Sequence, residues 1–103
     1  MIDLHRITAF DWDSGNARKN EKHAVSQAEA EQVFFNEPLV VLADTGHSNQ
    51  EPRFHALGAT DERRLLHITF TLRYDSTRLR VISPRDMHRK ERAAYEKATK
   101  SNP

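Results

Sequence analysis

Along residues 65–74, LLHITFTLRY, apolar and polar side chains alternate. Leu66, Ile68, Phe70, Leu72 and Tyr74 fall on one side; Leu65, His67, Thr69, Thr71 and Arg73 fall on the other. This pattern predicts a long β-strand with one buried face. RLRVI at 78–82 has the same period, with Leu79 and Val81 on one face and Arg78 and Arg80 on the other. The two apolar sets must coincide, because a slip of one residue exchanges the faces. A two-residue turn at Asp75-Ser76 achieves this by setting Leu72 opposite Leu79, Arg73 opposite Arg78 and Thr71 opposite Arg80. Three arginines then crowd one polar sheet face, and Arg53 and His55 of RFHALG (53–58) join it if that segment pairs in matching register.

The rest of the chain divides at its turn and cap residues. Residues 5–12 predict a short strand ending in Phe10 and Trp12. Asp13 caps a polar helix over about 14–22. SQAE at 26–29 is a capping box ahead of Ala30, Val33 and Phe34, which share a helical face. PLVVLAD (38–44) reads as a buried strand, TGHSNQEP (45–52) as a loop, and ATDERR as a turn. Ser83 with Asp86 predicts the cap of a last helix, with Pro84 in its first turn. Arg85, Arg89, Arg92 and Glu96 would stripe that helix, while Glu91 falls among Met87, Ala94, Ala98 and Tyr95. The order predicts one α+β domain over residues 1–103, with a mostly antiparallel sheet of four to five strands, two N-terminal helices and one C-terminal helix. Residues 1–9 would be an extension or strand, and 99–103 a disordered tail.

Charge adds a division that hydrophobicity does not show. Residues 1–62 carry five basic against eleven acidic side chains, a balance of −6, and residues 63–103 carry eleven against four, a balance of +7. Six arginines lie between Arg73 and Arg92. Like charges side by side cost free energy unless an anion lies between them. A wet outward face accounts for the threonines but poorly for Arg73 opposite Arg78; guanidiniums gripping phosphate oxygens in pairs account for both.

Composition narrows the chemistry further. With no cysteine there is neither a disulfide framework nor a thiolate metal site, and the six histidines show no HxxxH or HExxH spacing. Three glycines cannot build a phosphate loop or a dinucleotide fingerprint. No cofactor and no metal are expected. The absence of an apolar signal core or spanning run predicts a cytoplasmic protein without membrane attachment. Arginine, histidine, lysine, glutamate and tyrosine remain, a set suited to metal-independent RNA cleavage in which the ribose 2′-hydroxyl attacks the phosphorus. DNA lacks that hydroxyl. A basic module that binds nucleic acid without cutting it is the alternative, and a basic face serving only an acidic partner chain is a third.

FDWD (10–13), NEKHAVS (20–26), AEQVFFNEPL (30–39), HSNQEPRF (47–54), ALG (56–58) and LRVISPRDMHRKERAAYE (79–96) together resemble the BrnT family of type II toxin–antitoxin toxins. The resemblance implies a RelE-like fold and an endoribonuclease that blocks translation. It also implies a BrnA-like ribbon-helix-helix antitoxin as partner, with DNA reached only through that antitoxin in a hetero-oligomer. Carried onto this chain, it marks Lys22, His23, Arg73, Arg80, Arg85 and Glu91 as catalytic candidates and Arg53, Arg78, Arg89, Arg92 and Tyr95 as RNA contacts. Arg73, Arg80 and Arg85 would hold the scissile phosphate on a common pocket. His23 or Lys22 would move the proton, with Glu91 a second base candidate. Two positions depart from the family pattern: Ala24 replaces the usual glycine after KH, which requires a different loop if a positive φ is needed there, and Pro84 replaces an alanine.

Overall fold

A computed structural model describes residues 3–44, 46 and 51–100, the side chain of Lys19 aside. A 3₁₀ turn (Leu4–Arg6) leads into β1 (Ala9–Phe10), α1 (Ser14–Lys22), α2 (Gln27–Phe35), β2 (Val40–Asp44), β3 (Arg53–Ala59), β4 (Leu65–Arg73), β5 (Arg78–Asp86) and α3 (Arg89–Lys100). The strands form one sheet in the order β1-β5-β4-β3-β2. Three pairings are antiparallel, but β1 joins β5 in parallel, so the sheet is mixed and the expectation of a mostly antiparallel one is corrected. The cause lies in the N-terminal segment. It forms a 3₁₀ turn rather than a strand from residue 5, and only Ala9 and Phe10 reach the open edge of β5.

The hairpin register is the one that burial demands, with Thr71 opposite Arg80, Leu72 opposite Leu79 and Arg73 opposite Arg78. Tyr74, Asp75 and Ser76 turn the chain with positive φ, and the Thr77 N–H closes onto Tyr74 O. Further along, a bulge intervenes: Phe70 faces Val81 but Thr69 faces Ser83, leaving Ile82 as the extra residue. The expected cap at Ser83 and helix start at Pro84 are therefore corrected, because Ser83, Pro84, Arg85 and Asp86 extend β5. Pro84 is tolerated there since β1 reaches β5 only at Arg78 and Leu79, so beyond them the missing N–H faces no β1 partner. The helix begins instead at Arg89 and runs to Lys100, past the start of the expected tail; residues 101–103 lie outside the described residues, as do 45 and 47–50 of the expected loop.

One face of the sheet holds the main core. Leu66, Ile68 and Phe70 are fully buried with Leu79 and Val81, under Ala30 and Val33 of α2 and beside Val25. Burying each such side chain contributes about 1.5–3 kcal/mol. Phe34 meets Phe70 edge-on, with centroids 5.1 Å apart. α2 lies so close to β3 that a methyl on Gly58 would sit 2.8 Å from Val33 Cγ1. The predicted caps start both helices: Asp13 accepts from the Gly15 and Asn16 N–H groups, and Ser26 and Glu29 form the capping box. β2, expected to be buried, is an edge strand with Leu42 and Ala43 exposed. On the opposite face α3 covers only one end, where Tyr95 and Met87 pack on Leu57 with Val40 and Leu65 beside them. The Tyr95 hydroxyl donates to Pro38 O at 2.6 Å. Among the described residues, the polar side chains gather on the remainder of that face, with the start of α1 at its border.

Candidate active site

Cross-strand partners share a sheet face. The pairs His67–Arg85, Thr69–Ser83, Thr71–Arg80 and Arg73–Arg78, with His55 beside Thr69, therefore lie on the face that α3 half covers. The bulge decides this for Arg85. Without it Arg85 would stand opposite Leu66 and point into the core; the extra residue re-aims it beside His67. Arg73, Arg80 and Arg85 thus rise from one face, but carboxylates divide them into two groups.

The first group lies toward the hairpin turn. Arg80 makes two contacts with Asp13, Nη1 to Oδ2 at 2.9 Å and Nη2 to Oδ1 at 3.1 Å, and stands 3.8 Å from Asp11. Arg73 lies 3.9 Å from both Asp11 and Glu51. Asp13 is also the N-cap of α1, so one carboxylate both starts the helix and pins Arg80. The Arg80 guanidinium first, and then the helix N–H groups, hold its pKa down to about 2. Part of the anion that the crowded arginines require is therefore internal, supplied by the acidic N-terminal half. Arg53 lines a shallow pocket here with Glu51 and Arg80.

The second group fills a groove of about 610 Å³ between α3 and the open end of the sheet, lined by Leu42, His55, His67, Thr69, Arg85, Lys90 and Glu91 among others. Glu91 clasps Arg85 with both oxygens, at 2.7 and 2.8 Å, and accepts the His88 N–H at 2.7 Å just ahead of α3. The Arg85 guanidinium foremost holds Glu91 down to about 2. At neutral pH Glu91 is thus an anion that fixes Arg85 and a weak proton acceptor. His67 is buried, with Nε2 3.8 Å from Glu91 and its ring 4.9 Å from that of His55. Burial above all, and then the Arg85 charge, lower His67 to about 4, so its imidazole is neutral. His55 bridges two strands: Nε2 lies 3.0 Å from Asp44 Oδ2, and Nδ1 lies 3.2 Å from the Thr69 hydroxyl.

The other candidates lie elsewhere. Lys22 ends α1 and His23 caps it, and neither lines this groove. Arg78 stacks over the exposed Tyr74 ring, 5.2 Å from its centroid. Arg89 and Arg92 are exposed on α3, whereas Tyr95 is buried and anchors α3. Of the residues that sequence left without a role, His67 was legible, because alternation set it on the arginine face. Asp11, Asp13, Asp44 and Glu51 carried no such signal, since they meet their arginine and histidine partners only through long-range pairing. Among the described residues no three histidine or acidic side chains converge as metal ligands, and no helix is long and apolar enough to cross a membrane.

A basic sheet face with a clasped arginine beside two imidazoles is an arrangement for handling phosphate esters. The family comparison agrees: residues 12–91 match the model of the ribonuclease toxin, BrnT, of type II toxin–antitoxin systems. The match covers most of the chain, which belongs to this family of ribonuclease toxins and so has an antitoxin partner. No curated protein matches the chain. Ala24, at the family's usual glycine position, has φ 54, so the loop keeps a left-handed turn with alanine in place of glycine.

Proposed function

We propose that this toxin is an endoribonuclease that cleaves RNA through the 2′-hydroxyl without a metal ion, inhibits translation in the cytoplasm, and is neutralised by a ribbon-helix-helix antitoxin. The observation that carries this reading is Arg85, held in the open groove by both oxygens of Glu91 beside His55 and His67. A fixed guanidinium is suited to the charge that gathers on phosphorus in the transition state, and imidazole is suited to moving a proton near neutral pH. Arg73, Arg80 and Arg53 would guide the flanking backbone, competing with Asp11, Asp13 and Glu51 for the same guanidiniums. The exposed Arg89 and Arg92 would extend that track along α3.

Incubation of the purified toxin with RNA in EDTA tests the reading. Degradation in the wild type and its loss in Arg85→Ala are expected, with Arg80→Ala weakening RNA capture. Expression without antitoxin should arrest growth for the wild type and not for Arg85→Ala. RNA that is shifted on a gel but never cut would instead identify a binding module, and unchanged arrest in both variants would remove these arginines from the mechanism.

A further inference from the structure

We propose that His55, oriented by Asp44, is the proton acceptor of the cleavage step, a role that rests on the ribonuclease reading above. Asp44 can only accept from the imidazole when ionised, so its 3.0 Å contact places the ring proton on Nε2. The lone pair is then on Nδ1, directed at the Thr69 hydroxyl at 3.2 Å, which lines the same groove. A ribose 2′-hydroxyl taking the place of that hydroxyl would donate to the same lone pair. The arrangement of carboxylate, imidazole and hydroxyl is the one that fixes the tautomer of a general base.

The neighbours assign the task to His55 rather than to the other groups in the groove. Among the described residues, the charged and titratable side chains that share the groove or touch His55 are Asp44 from β2, His67 from β4, Arg85 from β5, and Lys90 and Glu91 from α3. Glu91 is committed to Arg85, and His67 lies deeper, with its Nδ1 buried and without a hydrogen-bond partner. His55 retains about 29% of its side-chain surface, and the Asp44 carboxylate 3.0 Å away holds the ring in place. In the step, Nδ1 takes the 2′-hydroxyl proton as O2′ bonds to phosphorus and the bond to O5′ breaks. The charge on phosphorus faces Arg85, and the 5′ oxygen leaves with a proton from solvent. The products are a 2′,3′-cyclic phosphate and a 5′-hydroxyl, and the imidazolium returns its proton to water.

The test compares wild type, His55→Ala, His55→Gln and Asp44→Asn on a short RNA, with mass spectrometry of the ends and with binding of the 2′-O-methyl RNA, which cannot react. His55→Gln keeps a donor near Asp44 but cannot accept a proton, and it guards against a fold defect in His55→Ala. Both His55 variants should lose about 100- to 10,000-fold in kcat, the usual contribution of acid–base catalysis, with binding of the blocked RNA retained. Asp44→Asn, a positioning change, should lower kcat while binding of the blocked RNA is retained, because the ring loses the contact that fixes its tautomer. Cleavage by both His55 variants within about 3-fold of wild type would overturn the assignment and leave the ribonuclease reading intact. Wild-type protein that binds the blocked RNA yet never forms a cyclic phosphate would overturn both.

Discussion

His67→Gln tests the electrostatics of the groove through stability. His67 is nearly enclosed, with 11% of its side chain exposed, and lies beside Arg85, His55 and Glu91. Burial first, then Arg85, lower it from 6.5 to about 4. Its folded form therefore binds a proton less readily than its unfolded form. Stability is highest above pH 6.5 and is lost as the pH falls from there toward 4. The full shift is worth about 3 kcal/mol, and between pH 7 and pH 4.5 linkage predicts a loss of roughly 2–3 kcal/mol from this side chain alone. Urea unfolding of both proteins at pH 7, 6, 5 and 4.5 measures it. The wild type should lose that much more than His67→Gln, a difference on the order of 10 °C or more in Tm for a domain of this size. Parallel curves for the two proteins across the window would refute the claim that the fold keeps His67 neutral.

Two further outcomes follow from individual side chains. Ala24 has φ 54, and a left-handed L-residue costs about 1–2 kcal/mol, against about 0.4–1 kcal/mol for the extra freedom of unfolded glycine. Ala24→Gly should therefore raise the midpoint of a thermal melt by a few degrees, and a lower midpoint would show that the turn is unstrained. Glu91→Gln removes the carboxylate that holds Arg85 and the His88 N–H. Because the pair is partly exposed, the loss near pH 7 should be about 1–2 kcal/mol rather than the full value of the shift. Glu91 is lowered from 4.5 to about 2, so its contribution is present above pH 4.5 and fades as the pH falls toward 2. Urea melts of variant and wild type should therefore converge near pH 2.

Several features of this protein were set by sequence alone. The alternation of Leu66, Ile68, Phe70 and Leu72 fixed the buried face of β4 and, through the need to match Leu79 and Val81, the register of the hairpin. Asp13, Ser26 and Glu29 marked the helix starts, because capping is a local exchange of hydrogen bonds between residues two or three apart. The series of motifs from FDWD to RKERAAYE marked the family. The composition of the site depended instead on contacts between distant residues. Ser83-Pro84 is an equally good helix start by local rules, and only pairing with β4, together with the bulge at Ile82, made it strand and turned Arg85 toward His67. Asp44 meets His55, and Asp13 meets Arg80 across 67 residues, only once the sheet order is set. Local periodicity specifies which face a side chain takes, but its partner on that face depends on the long-range strand order, which no short window of sequence contains.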